Sequence, residues 1–285
     1  NQVMQTPRDI SLLELEDIDS KWNNLDNYYS LYTVNPYFLL KKNGNRNNED
    51  RFYGNFDLDY SITKHLTAKL RLGADLSHEQ AKLWRAVIEP KGNNEFASVY
   101  EPGVVNESNS AVRQFNTDIL LTYSRKFGKF SVDLLAGHNL NERSSNSLYA
   151  AVSNLTIPDF YQLSNSSETP VADGSYGQRR LVGVYGSADI GFKSLWFLSL
   201  TVRNDWSSTL PKHNNSFFYP GVSSSLVFTE LFPGIKKVMP FGKLRVAYTR
   251  VGNDAGAYQI NTVFVNAGHS DGYGSLRYPL PNGVN

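Results

Sequence analysis

The chain has 285 residues, no cysteine and a formal net charge of +1. Its 28 Lys and Arg against 27 Asp and Glu leave no basic excess, which argues against a nucleic-acid partner. No apolar run reaches the roughly 18 residues of a transmembrane helix. The mean hydropathy of −0.40 suits either a soluble protein or a membrane barrel whose strands alternate apolar with polar residues.

Residues 1–50 carry Asn-rich sequence (Asn43, Asn45, Asn47, Asn48) and no strand of good quality. They are expected to form an extracellular-loop-like segment with a short helix around Leu12 to Asp19. The period changes after that. Phe52, Gly54, Phe56, Leu58, Tyr60 and Ile62 alternate with Tyr53, Asn55, Asp57, Asp59 and Ser61. After Thr63-Lys64-His65, the residues Leu66, Ala68, Leu70, Leu72, Ala74 and Leu76 alternate with Thr67, Lys69, Arg71, Gly73, Asp75 and Ser77. Period two puts one set on each face of a strand, whereas a helix would scatter both sets around its circumference. Two such runs joined by three residues predict a hairpin.

The unit recurs. Arg113–Ser124 and Phe130–Asn141 flank a turn at Gly128, Arg180–Phe192 and Leu195–Trp206 flank Lys193-Ser194, and Phe217–Glu230 and Lys243–Val251 form a looser pair. The prediction is eight antiparallel strands, with short turns at 63–65, 125–129 and 193–194. Long polar connections at 78–112 and 142–178 and a moderate one at 207–216 lie on the other side. Short turns at one end and long loops at the other is the outer-membrane pattern. The connection 231–242 is too long for it.

Alternation alone also admits a soluble barrel. Two features favour the membrane. Tyr60, Tyr123, Phe130, Phe192, Trp196 and Phe228 gather at the short-turn ends of the apolar face, and Phe52, Phe115, Trp206 and Phe218 at the other ends, around an aliphatic belt. Two aromatic bands match two bilayer interfaces. The opposite face carries Asp57, Asp59, Lys69, Arg71, Asp75, Asp133, Asp189, Arg203, Asp205 and Arg245, as a wet lumen would.

Three stretches carry a family resemblance: NPYFLLKKNGNRNNEDRFYGNFDLDYSITKHLTAKLRLGAD (35–75), LTVRNDWSSTLPKHNNSFFYPGVSSSLVFTE (200–230) and LRVAYTRVGNDAGAYQ (244–259). The Arg-Asn-Asp-Trp-Ser-Ser run followed by Phe-Phe-Tyr-Pro is the most specific part. The chain resembles the SusC-like (SusC/RagA) TonB-dependent outer-membrane transporters of Bacteroidetes. The resemblance implies an all-β, antiparallel transmembrane barrel of about 22 strands with a plugged lumen, of which this chain would hold about eight strands. With Asn1 and the turn-like PLPNGVN at its two ends, the chain reads as an internal piece, with 51–285 the partial barrel domain. The resemblance further implies import of a nutrient, glycan or oligopeptide, into the cell through the outer membrane. The implied partners are a SusD-like surface lipoprotein, outer-membrane lipid, and TonB, ExbB and ExbD through an N-terminal region outside this chain. A passive porin or small structural outer-membrane barrel is the alternative.

Enzyme chemistry is not expected. No P-loop, dinucleotide fingerprint or G-x-S-x-G occurs, and the histidines at 65, 78, 138, 213 and 269 lack metal-ligand spacing. No cofactor is predicted. The candidate plug-contact residues are Arg71, Asp75, Arg203, Asp205 and Arg245. Arg203 and Asp205 are read as holding a plug or a neighbouring strand, against the plainer alternative of a solvated ion pair worth under about 1 kcal/mol. Loop aromatics Trp84, Tyr100, Tyr149, Tyr161 and Tyr176 are candidates for stacking on sugar rings, against the alternative that they pack loops together.

Overall fold

A computed structural model describes residues 3–91, 99–260, 265–267 and 275–277. His269 and the terminal 279–285 lie outside the described residues. Eight antiparallel strands form one sheet in simple chain order, with β1 and β8 at its edges. They are β1 Gly44–Ser61, β2 Leu66–Ile88, β3 Glu101–Phe127, β4 Phe130–Ser153, β5 Val171–Phe192, β6 Trp196–Ser207, β7 Ser216–Leu226 and β8 Leu244–Thr249. A separate two-stranded sheet pairs β9, Val265–Ala267, with β10, Ser275–Arg277.

The eight expected strands are all present, and the three short turns fall where the sequence puts them. The long connections differ. Strand runs through most of 78–112 and 142–178, leaving 89–100 and 154–170 as connections, and β3 reaches 27 residues. Strand β1 likewise begins inside the segment expected as loop, with the polar run Gly44 to Asp50. Alternation reports a strand only where its two faces meet different surroundings. Where both faces are polar, the strand continues without the signal. At the other end of the chain β7 stops at Leu226, and 227–243 holds a short helix and a 3₁₀ turn.

Helix α1, Pro36–Lys42, replaces the helix expected near Leu12–Asp19, where only a 3₁₀ turn at Glu14–Glu16 forms. Asn35 starts α1: its side-chain oxygen accepts from the Tyr37 amide at 2.9 Å, and Pro36 supplies the preset φ of a first helical residue. The Asn35 amide group also donates to the Leu15 and Asn23 carbonyls at 2.8 and 3.0 Å, so this buried side chain is fully used.

The chain divides into two compact units, one of Asn1–Phe52, Leu76–Val112 and Ser145–Tyr176, the other of Tyr53–Asp75, Arg113–Ser144 and Gly177–Asn285. The first has a small apolar core of Val105, Val152 and Leu155, with Trp84, Val87, Tyr161 and Leu163 packed on it. The second is built differently. Across β5 to β8 the register lines up Ala188, Leu200, Val222 and Tyr248 in one row and Tyr185, Arg203 and Tyr219 in a row of opposite parity. Strands β1 and β2 do the same, because Asp57 pairs with Arg71 at 2.8 Å and Asp59 with Lys69 at 3.3 Å on one face. The apolar parity carries Phe56, Leu58, Leu72, Ile119, Leu134, Leu200 and Val222, all of them exposed. Each large side chain left in water forgoes about 1.5–3 kcal/mol of burial. A continuous face of them calls for an apolar surrounding.

Leu72→Arg in the full-length protein tests that face. An arginine in the middle of a lipid-facing band costs about 2–4 kcal/mol. If that face meets lipid, the amount of folded, heat-resistant protein should fall sharply relative to wild type, as read by gel mobility of unheated samples; unchanged levels would place Leu72 away from lipid.

Candidate functional site

The polar face of the second unit is the candidate site. Its centre lies on β3 to β6. Asn139 donates to Asn116 at 3.0 Å and to Asp118 at 2.8 Å, Asn116 donates to Asp118 at 2.8 Å, and Asn141 reaches Asn116 at 3.2 Å. Tyr185 on β5 interacts electrostatically with Asp118 in turn. The Arg203 guanidinium lies 5.2 Å from the Tyr185 ring, and its Nε donates to both oxygens of Asp205 at 2.8 and 2.9 Å. One polar chain thus crosses four strands. Each carboxylate in it is met by amide or guanidinium donors, which fixes side-chain direction without burying an unpaired charge.

Two glycines make room for it. A Cβ at Gly183, opposite Asp205, would come within 2.4 Å of Asp205 Oδ1. A Cβ at Gly137 would come within 2.4 Å of the Tyr185 ring. The absent side chains let Arg203, Asp205 and Tyr185 lie flat along the sheet.

The expected plug-contact residues are distributed over this face. Arg203 and Asp205 pair with each other, and Asp205 is buried. Arg71 joins Asp57 instead. Asp75, on the same strand, makes contacts of its own. Arg245 on β8 lines a separate cavity of about 290 Å³ with Asp133, Asp189, Ser199 and Lys243. Within that cavity Ser199 donates to Asp189.

A second cluster was not anticipated. Asp254, in the segment after β8, accepts from Arg179 Nε at 2.9 Å and Nη2 at 2.6 Å, from Ser207 Oγ at 2.6 Å and from Thr209 Oγ1 at 3.2 Å. These donors, Arg179 above all, hold its carboxyl down to about 2. Ser207 and Thr209 belong to the RNDWSST run and Asp254 to the GND run, so the family-like stretches did contain them. Arg179 sits next to what reads as loop, and periodicity cannot report a clasp between segments 75 residues apart.

The aromatic candidates divide. Trp84, Tyr149 and Tyr176 lie in strands β2, β4 and β5 and not in loops, because those strands run further than alternation indicates. Trp84 packs on the Val105 cluster with its ring 5.9 Å from that of Tyr161. Tyr161 donates to Asp159 at 3.1 Å, and burial raises its phenol. Asp159 also meets Lys42 at 2.6 Å, and that hydrogen bond lowers its carboxyl. Trp84 and Tyr161 therefore act as packing residues within the first unit, whereas Tyr100, Tyr149 and Tyr176 are exposed. Among the described residues no three His, Cys, Asp or Glu side chains group as a metal site.

The Asp254 clasp carries a pH signature. Its carboxyl is depressed in the folded chain from 3.8 to about 2, so its contribution is complete above about pH 4 and is lost as pH falls through 2. Arg179 is partly exposed and screened by solvent, which limits the contribution to about 1–2 kcal/mol. Amide exchange in 250–256 should accelerate between pH 4 and pH 2 beyond the intrinsic rate, and Asp254→Asn should accelerate it already at neutral pH. Equal protection in the variant would show that other contacts hold the segment.

No family model matches the chain. It is 22% identical over 241 residues to TonB-dependent receptor P3 of Formosa agariphila, an alignment covering 81% of this chain and 23% of that protein. Among solved structures it superposes on the RagAB peptide transporter with a TM-score of 0.70 at 17% identity, covering 88% of this chain and 28% of that one. The RagAB peptide importer in its closed-closed state gives a TM-score of 0.71 over the same coverage. The chain spans about a quarter of the length of the relatives it matches. The chain is thus similar in sequence to a TonB-dependent receptor and shares its antiparallel eight-stranded fold with part of the RagAB transporter.

Proposed function

We propose that this chain forms part of the wall of an outer-membrane barrel that imports a nutrient by a TonB-dependent route. The observation that carries the reading is the two-faced sheet: exposed apolar side chains on one parity and a connected polar chain from Asn116 to Asp205 on the other. The first face suits lipid and the second a hydrated lumen. The named relatives are receptors and transporters, not enzymes. Because RagAB is named a peptide transporter, an oligopeptide is favoured over a glycan as the cargo.

In this reading the strands β1 to β8 are barrel wall and the residues before β1 lie at the cell surface. Arg71, Asp75, Arg203, Asp205 and Arg245 face a plug, whose polar groups they hold by hydrogen bonds that can be exchanged when the plug is pulled. The exposed Tyr100, Tyr149 and Tyr176 are the candidate aromatics for contact with cargo. A SusD-like surface lipoprotein covers the outer mouth, and TonB with ExbB and ExbD acts through sequence outside this chain.

Growth on the transported peptide or glycan as sole source should stop when TonB is deleted and return on complementation. Undiminished growth without TonB, together with large steady conductance of the purified protein in planar bilayers, would support a passive porin instead.

A further inference from the structure

The short turns carry a charge pattern that import does not use. The short turns and the strand ends beside them, 62–65, 125–129 and 193–194, read ITKH, RKFGK and KS, with the basic residues Lys64, Arg125, Lys126, Lys129 and Lys193 and no carboxylate. All five basic side chains are exposed. The turns are tied to one another. Ser124 N–H donates to the His65 carbonyl at 2.9 Å, the His65 ring meets the Ser124 carbonyl at 3.1 Å, and Lys193 N–H donates to the Lys129 carbonyl at 2.8 Å. The three turns are therefore held side by side.

Aromatic rings of the apolar parity sit among them. The Arg125 guanidinium lies 4.8 Å from the Phe127 ring centre and the Lys193 ammonium 5.3 Å from that of Phe192. Phe130 and Phe192 have ring centres 4.8 Å apart. Rings lying at an interface with cations beside them are suited to a surface that is apolar below and anionic above. The turn backbone points the same way. Lys193 and Ser194 both have positive φ, 48° and 57°, where Asn and Gly are the favoured residues of a two-residue hairpin. A lysine at such a position is not selected by the turn's geometry.

We propose that the three turns form a cationic, aromatic-backed collar that binds the phosphate headgroups of anionic phospholipid in the adjoining leaflet. This rests on the membrane reading above. An acidic protein partner would match the charge, but not the rings of the lipid-facing parity beside Arg125 and Lys193.

The test uses the full-length protein reconstituted in phosphatidylcholine vesicles containing a minority of phosphatidylglycerol. Spin-labelled phosphatidylglycerol and phosphatidylcholine report lipid held at the protein surface. The collar predicts about fivefold preference for the phosphatidylglycerol label at low ionic strength. That preference should fall at high salt and disappear when Lys64, Arg125, Lys126, Lys129 and Lys193 are all replaced by Gln. If that variant does not fold, R125Q/K126Q alone should halve the preference. Equal association of the two labels with a folded wild-type barrel overturns the proposal and leaves the membrane reading intact, as does a preference that survives the substitutions. Tight, collar-dependent binding of polyglutamate in detergent, with no lipid preference, overturns it in favour of a protein partner. Failure to insert into any vesicle removes the membrane reading and the collar with it.

Discussion

In an apolar solvent every backbone N–H and C=O must be paired within the protein. The eight-stranded meander meets that demand by bonding each interior strand to both chain neighbours, and the rest of the structure follows from it. Once the backbone is laid out as strands, side chains can only point to two faces. The sequence then assigns one face to apolar residues and the other to polar ones. Short turns suffice at one end because consecutive strands are neighbours. The packed core of Val105, Val152 and Leu155 belongs to the unit containing the longer connections, where an enclosed core can form.

The polar face illustrates how charges persist there without instability. Asp118 accepts from Asn116 and Asn139 and Asp205 accepts from Arg203, while Gly137 and Gly183 leave room for the Tyr185 ring and for Arg203 and Asp205. Such a lattice is stiff sideways, along the sheet. It also leaves hydrogen-bonding capacity pointing away from the sheet, because a carboxylate accepts more bonds than its neighbours supply. The Asp254 clasp is a different construction: one nearly buried carboxylate gathers four hydrogen bonds and ties the segment after β8 to the middle of β5 and the end of β6.

The fold was legible where its physics leaves a period. The run from Phe52 to Leu76 shows both strands and the turn of the first hairpin, because one face is apolar and the other polar, which forces alternation. The polar run from Gly44 to Asp50 is equally strand and shows nothing, since neither face needs apolar residues. The family-like RNDWSS run pointed to Arg203 and Asp205 as a unit, and the structure pairs them. It did not lead to Arg179 or Tyr185, whose roles arise from contacts across strands and leave no local trace. Trp84 shows the converse: an aromatic in polar surroundings reads equally as a binding or a packing residue, and it packs on the core supplied by β3 and β4.

The central claim is that β6 divides lipid from water residue by residue. The chain contains no cysteine, so single cysteines can be placed from Leu198 to Asp205 and labelled with an environment-sensitive probe in the full-length protein. Probes at 198, 200, 202 and 204 should be quenched by a bilayer-dissolved agent and protected from a charged aqueous one. Probes at 199, 201, 203 and 205 should show the reverse. A period-two pattern of this phase is the predicted result; the opposite phase, or equal access along the strand, would contradict the account.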